Sequence, residues 1–158
     1  MRALDGNVAL VTGAGQGIGR GISLALAAEG ASVAVVGRTI TKLDDTVAAI
    51  RDGGGTAVAI AADVTDPDQV EAAVAKTVDQ LGGIDIVVNN AQEFNFGTLL
   101  DIDLASVEAG WRSGPMATLR FMRAAHPHLR GRGVVVNLSS GAVLDPDPTG
   151  TGAYAAVK

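Results

Sequence analysis

The chain has 158 residues, a formal net charge of −5 at pH 7, 47% hydrophobic and 18% charged residues, and no cysteine. That length suits one domain with a sizeable core, and so apolar a composition argues against disorder. The acidic balance without a run of Lys or Arg argues against nucleic acid and anionic membrane surfaces as partners, and the lack of thiols excludes disulfides and thiolate metal sites.

Aromatic residues make up only 3%, so the interior must be built from Val, Ala, Leu and Ile. No stretch reaches the ~18 apolar residues that span a bilayer. The opening MRALDGNVAL is unlike a signal peptide. These features lead us to expect a soluble cytoplasmic protein.

In chain order, residues 7–12 (NVALVT) read as the first strand, followed by a glycine-rich turn and a helix over 17–29. Further strands are expected over 32–37 (SVAVVG), 56–61 (TAVAIA), 84–89 (IDIVVN) and 133–138 (GVVVNL). All are near-continuous apolar runs, the pattern of parallel strands covered on both faces. Helical spacing recurs over 41–52 and 66–81, with Asp66-Pro67 as a start signal and the glycines at 30 and 53–55 as stops. From 99 to 129 the pattern is interrupted by Gly110, Gly114 and Pro115. We read a short helix there, then a long one that begins near Ser106 and bends at Pro115. Alternation through five strands predicts a single α/β domain over 1–158, a doubly wound parallel sheet with right-handed crossovers.

The first turn, Thr12-Gly13-Ala14-Gly15-Gln16-Gly17-Ile18-Gly19, fails the pattern G-x-G-x-x-G, because a set opening at Gly13 puts Ile18 in third place. It satisfies T-G-x-x-x-G-x-G. Glycines let the backbone turn sharply and let a pyrophosphate approach the helix N-terminus, whose N–H groups and dipole favour anions. In its strand–turn–helix setting the stretch from Gly13 through Gly15, Gln16, Gly17 and Ile18 to Gly19 is expected to bind a dinucleotide.

Joined to three further motifs, this turn resembles that of the short-chain dehydrogenase/reductase family. Asp63-Val64 follows the third strand, Asn89-Asn90-Ala91 the fourth and Ser140 the fifth, and Tyr154-Ala155-Ala156-Val157-Lys158 matches Y-x-x-x-K. The motifs fall in the family's order and close to its spacing, over the whole chain. The resemblance implies a Rossmann-like sheet of strand order 3-2-1-4-5. It also implies an oxidoreductase that moves a hydride between a nicotinamide cofactor and a small-molecule alcohol/carbonyl substrate. Tyr154 would be the general acid/base, Lys158 would favour its phenolate and hold the nicotinamide ribose, and Ser140 would position the carbonyl. Asp63 would reach the adenine, with Val64, Asn90 and Ala91 beside it in the cofactor site.

The chemistry agrees with these roles. A Tyr and a Lys four apart share a helix face, and a phenol is a poor acid/base near neutrality unless a cation favours its charged form. A serine hydroxyl can bond an oxygen on which charge develops. After the second strand, where NAD-preferring relatives place an acid for the ribose 2′-OH, this chain has Gly37, Arg38 and Thr39. An Arg can meet a 2′-phosphate and Gly37 leaves room for it, so NADP(H) is expected over NAD(H).

The chain also departs from the family's pattern. Gln92 stands where a glycine usually closes N-N-A-G, and a side chain there is costly if the backbone needs positive φ. Gly114, beside Ser113, falls where relatives carry an Asn that serves proton transfer to the Lys; either Ser113 or backbone groups stand in, or the proton route differs. The interval from Ser140 to Tyr154 is one residue longer than usual, and Ser139 is the alternative serine. Relatives continue beyond the Lys. We therefore expect this chain to be the N-terminal portion of its sheet, with the fifth strand as an apolar edge and with little turnover on its own.

His126 and His128 are read as helix-end residues and not a metal pair, so no metal site is expected. Phe94 and Phe96 lie where relatives line the substrate cleft, and serve either as a substrate floor or as simple packing. Asp145 and Asp147 read as solvated loop carboxylates. The helix over 105–129 corresponds to one that pairs subunits in relatives, which implies a homo-oligomer for the full-length parent. Two readings follow: an NADP(H)-dependent oxidoreductase, or a nucleotide-binding fragment or pseudoenzyme without catalysis.

Overall fold

The structure, a computed structural model, describes residues 2–93, 97–145, 147 and 149–158. Its strands are β1 (Val8–Thr12), β2 (Ser32–Gly37), β3 (Thr56–Ala61), β4 (Ile84–Asn89) and β5 (Leu129–Asn137). They form one sheet in the order β3-β2-β1-β4-β5, and every neighbouring pair is parallel. This is the expected doubly wound arrangement. β1 lies at the centre and all five of its residues are buried, which is why its sequence is uniformly apolar.

Helices α1 (Gly17–Ala28) and α2 (Ile40–Asp52) cover one face of the sheet. The other face carries α3 (Pro67–Leu81) and a long helix built from α4 (Leu104–Trp111), a π-helical turn (Arg112–Met116) and α5 (Ala117–Ala125). The two-residue period of the strands divides the core accordingly. Val11, Val33 and Val35 meet Leu43, Val47 and Ile50 of α2. Leu10, Val36 and Ile60 meet Val70 and Val74 of α3 and Phe121 of α5. Each such buried side chain stabilises the fold by about 1.5–3 kcal/mol.

Polar residues fix the ends of these elements. Asp66 caps α3, its Oδ1 accepting the N–H groups of Asp68 and Gln69, and Pro67 occupies the first turn. Asp85 of β4 accepts the Val8 N–H at 2.7 Å and pairs with Arg130 at the start of β5, so one carboxylate pins three neighbouring strands. The Asp85 carboxylate holds the Arg130 guanidinium above its ordinary range.

Three expectations are corrected: the start of the long helix, the short helix ahead of it and the start of β5. The long helix is continuous over 104–125, with Pro115 inside its π-helical turn; a wider turn accommodates a residue without an N–H. It begins at Leu104, capped by Asp103, and turns replace the short helix expected ahead of it. β5 starts at Leu129, four residues before the apolar run, and its pairing with β4 shifts register between Ile84 and Ile86. Along this edge Val134 and Val136 are half-exposed. Among the described residues no helix is long and apolar enough to cross a membrane.

Candidate active site

A groove of about 780 Å³ runs past the C-terminal ends of all five strands. That is where the crossovers of a doubly wound sheet leave a crevice. At its centre the turn after β1 is held from below by β4. Thr12 Oγ1 accepts the N–H groups of Asn90 and Ala91, both at 3.0 Å, and Asn90 Nδ2 donates to the Thr12 carbonyl at 2.9 Å. Thr-Gly after one strand and Asn-Asn-Ala after the next are therefore two halves of one joint.

The glycines of the turn do different work. Gly13 has φ +64, and a Cβ there would lie 2.8 Å from Asn90 Nδ2. Gly19 is buried, and a Cβ on it would lie 2.5 Å from Asn90 Nδ2 and collide with the Gly13 carbonyl. Among the expected cofactor residues Gly19 alone does not line the groove; it lets α1 close onto the turn. Gly15, Gly17 and the exposed Ile18 do line it. Gln16 sits at the N-cap of α1 but does not cap it: its Oε1 accepts from Lys42 Nζ at 2.6 Å. No side chain at that N-cap covers the first-turn N–H groups.

Beyond β2 and β3 the groove is lined by Arg38, Thr39, Asp63 and Val64. Asp63 Oδ1 accepts from both the N–H and the hydroxyl of Thr65, at 2.8 Å each. Arg38 Nη1 lies 3.8 Å from Glu93 Oε2 across the groove. Lys42 also lines this end and was missed from the sequence. Its spacing was the available signal, four residues after Arg38 and within the first turn of α2.

At the opposite end the residues after β5 meet α6 (Gly152–Ala156). Ser140 Oγ accepts the Ala142 N–H at 3.3 Å, which leaves its hydroxyl proton to donate elsewhere. Ser139 also lines the groove. Lys158 Nζ lies 5.6 Å from the centroid of the Tyr154 ring, within cation–π range, and donates to the Leu138 carbonyl at 3.3 Å. Ser140, Tyr154 and Lys158, far along the chain from β1, thus share one groove with the glycine turn.

The two unusual positions also meet here. Gln92 pays no positive-φ cost, since no described residue other than glycine has positive φ. Its Nε2 donates to the Val157 carbonyl at 2.8 Å, beside Gly114. Ser113 is buried, accepts the Glu93 N–H at 2.8 Å and donates to the Ala109 carbonyl at 2.8 Å. Its single proton is spent within its own helix. Phe94 and Phe96 lie outside the described residues. His126 and His128 are exposed in a 3-10 turn, and among the described residues no group of three or more His, Asp or Glu could hold a metal ion. Asp147 is exposed, and the Thr149 hydroxyl and N–H hold its carboxyl below the ordinary range.

Known proteins resemble this chain in sequence and fold. The ketoacyl reductase HetN of Nostoc sp. is 36% identical over 89% of this chain and 50% of its own length. A short-chain dehydrogenase from Burkholderia cenocepacia, solved with NADP, superposes with a TM-score of 0.92 at 38% identity over 98% of this chain and 64% of that one. A 7α-hydroxysteroid dehydrogenase solved with NADH and 7-oxo glycochenodeoxycholic acid gives a TM-score of 0.90 at 28% identity, covering 98% of this chain and 60% of that one. The chain thus spans between 50% and 64% of the length of these proteins. The sequence model described as short chain dehydrogenase matches residues 7–158, and the chain belongs to that family.

Proposed function

We propose that the protein carrying this chain is an NADP(H)-dependent oxidoreductase acting on an alcohol/carbonyl pair, with Tyr154 as general acid/base. The observation that carries this reading is that Tyr154, Lys158 and Ser140 line one end of the groove whose centre is the glycine turn. The groove suits a dinucleotide by its volume, by the close approach allowed at Gly13, and by the α1 N-terminus that no N-cap side chain covers. The first-turn N–H groups of α1 would hold the pyrophosphate, and Arg38 and Lys42 would face a 2′-phosphate. Asp63 and Val64 would border the adenine end. When bound, the cofactor supplies or accepts the hydride.

The chain's own residues supply the rest. The Ser140 hydroxyl donates to the substrate oxygen as charge develops on it. Tyr154 gives that oxygen a proton during reduction and takes one during oxidation. Lys158 holds its ammonium beside the ring, anchored on the Leu138 carbonyl. Arg38 and Lys42 favour NADP(H); the similar proteins include both an NADP complex and an NADH complex, so the preference rests on these two cations. Leu104, Trp111 and Leu119 are exposed along the long helix, and we read that helix as a self-association surface. Sedimentation of the protein should then give a mass above that of the monomer.

Titrating NADPH and NADH against the protein, followed by NADPH oxidation with a panel of ketones and aldehydes, tests the reading. Tighter NADPH binding with turnover is expected. Binding without any turnover would favour the non-catalytic nucleotide-binding reading.

A further inference from the structure

Residues 90–93, just past β4, are tied to the rest of the site at every step. The N–H groups of Asn90 and Ala91 bind Thr12 of the glycine turn. Gln92 Nε2 donates to the Val157 carbonyl and the Glu93 N–H to Ser113, each at 2.8 Å. This short strap therefore joins the turn that would hold the cofactor to the peptide unit immediately before Lys158.

α6 spans Gly152–Ala156, and after it the Val157 N–H bonds the Tyr154 carbonyl and the Lys158 N–H the Ala155 carbonyl, at 3.1 and 3.4 Å. The long helix offers it a side-chain-free face. A Cβ on Gly110 would lie 3.1 Å from Val157 Cγ2. A Cβ on Gly114 would lie 2.8 Å from Gln92 Nε2 and 3.0 Å from the Val157 oxygen, on the hydrogen bond itself. Gln92 fills the space that Gly114 leaves, and Val157 is buried beside it.

We propose that Gln92 is a positioning residue for the Tyr154–Lys158 pair, and that Gly114 exists to seat it, so that the two positions act as one unit. This rests on the proposed oxidoreductase function. The amide fixes the carbonyl of Val157, the fixed carbonyl sets the stance of Lys158 over the Tyr154 ring, and the strap transmits that stance from the glycine turn. Gln92 acts on the pair through the Val157 carbonyl.

The test uses the protein at its full natural length, with Gln92→Glu, Gln92→Ala, Gly114→Ala and the Gln92→Ala/Gly114→Ala double variant. Gln92→Glu keeps the shape and removes the donor. Amide hydrogen exchange over residues 152–158, NADPH affinity and kcat are measured for each. Each single variant is expected to speed exchange about fivefold or more, the effect of losing one hydrogen bond. Each should lower kcat at least about tenfold through misplacement of the pair, with NADPH Kd held within about threefold, and the double variant no worse than Gln92→Ala. Unchanged exchange in Gln92→Glu, losses that multiply in the double variant, or a Kd that rises in step with the fall in kcat would overturn the proposal. A wild-type protein without turnover would count against the oxidoreductase function instead, and exchange with its non-additivity would then decide the role of Gln92 alone.

Discussion

Lys158 stands with its ammonium 5.6 Å from the centre of the Tyr154 ring and anchored on the Leu138 carbonyl just past β5. The cation is thus held beside the phenol by the segment that follows β5, Lys158 itself lying past the end of α6. Replacing it with methionine keeps the stem and removes the charge. Lys158→Met is expected to lower kcat about 100-fold or more, the scale of losing acid–base assistance. Steady-state kinetics with NADPH and a responsive carbonyl checks this; near wild-type kcat would count against the role of Lys158.

Arg38 and Glu93 face each other at 3.8 Å, with side chains 67% and 42% exposed. So exposed and loose a pair adds little stability, which leaves Arg38 able to exchange Glu93 for a phosphate. Arg38→Ala should weaken NADPH binding about tenfold and leave NADH within about twofold, because only NADPH offers the 2′-phosphate. Glu93→Gln should tighten NADPH binding, and raised salt should shrink both effects. Parallel titrations with the two cofactors measure them.

Two glycines of α1 predict opposite outcomes. A methyl group on Gly19 would collide with the turn backbone, whereas one on Gly21 would meet nothing within 4 Å. Gly19→Ala is expected to cost about 1–3 kcal/mol as overpacking and to weaken cofactor binding. Gly21→Ala should stabilise the protein by about 1 kcal/mol through helix propensity. Urea unfolding of the two variants distinguishes them, and equal effects would contradict the close contact at Gly19.

Asp66 gives a pH-dependent signature. Donation from the Gln69 side chain, and next from the Gln69 N–H, holds its carboxyl below the ordinary 3.8 in the folded chain. A depressed folded value means that the ionised cap stabilises α3 above pH 3.8, and that this contribution is lost as pH falls through the folded value. The stability difference between wild type and Asp66→Asn should therefore persist near neutrality and fade below pH 3.8. Urea midpoints measured across that range check the sign.

Much of this fold was legible because central parallel strands must be apolar throughout: β1 to β4 start and stop within a residue of their apolar runs. The order of the strands was not in those runs and came with the family resemblance. The first part of β5 escaped because Arg130 and Gly131 carry no apolar signal; pairing with β4 and the Arg130–Asp85 contact hold it in the sheet. Pro115 marked an irregularity in the long helix, and local pattern does not say that it takes the form of a π-helical turn. At the site, the motifs named Gly13, which lies at the centre of the groove, and Tyr154, which lies at one end of it. Gln92 was legible only as a departure, because its partner lies 65 residues away and contacts at that separation leave no trace in local spacing.

The central claim is that Tyr154 is the acid/base of an NADP(H)-dependent reaction on an alcohol/carbonyl pair. The most direct measurement is kcat for carbonyl reduction by NADPH in wild-type protein and in Tyr154→Phe, with NADPH affinity measured on both. The account predicts turnover in wild type, a loss of about 100-fold or more in the variant, and unchanged cofactor affinity. Turnover that survives Tyr154→Phe would contradict it.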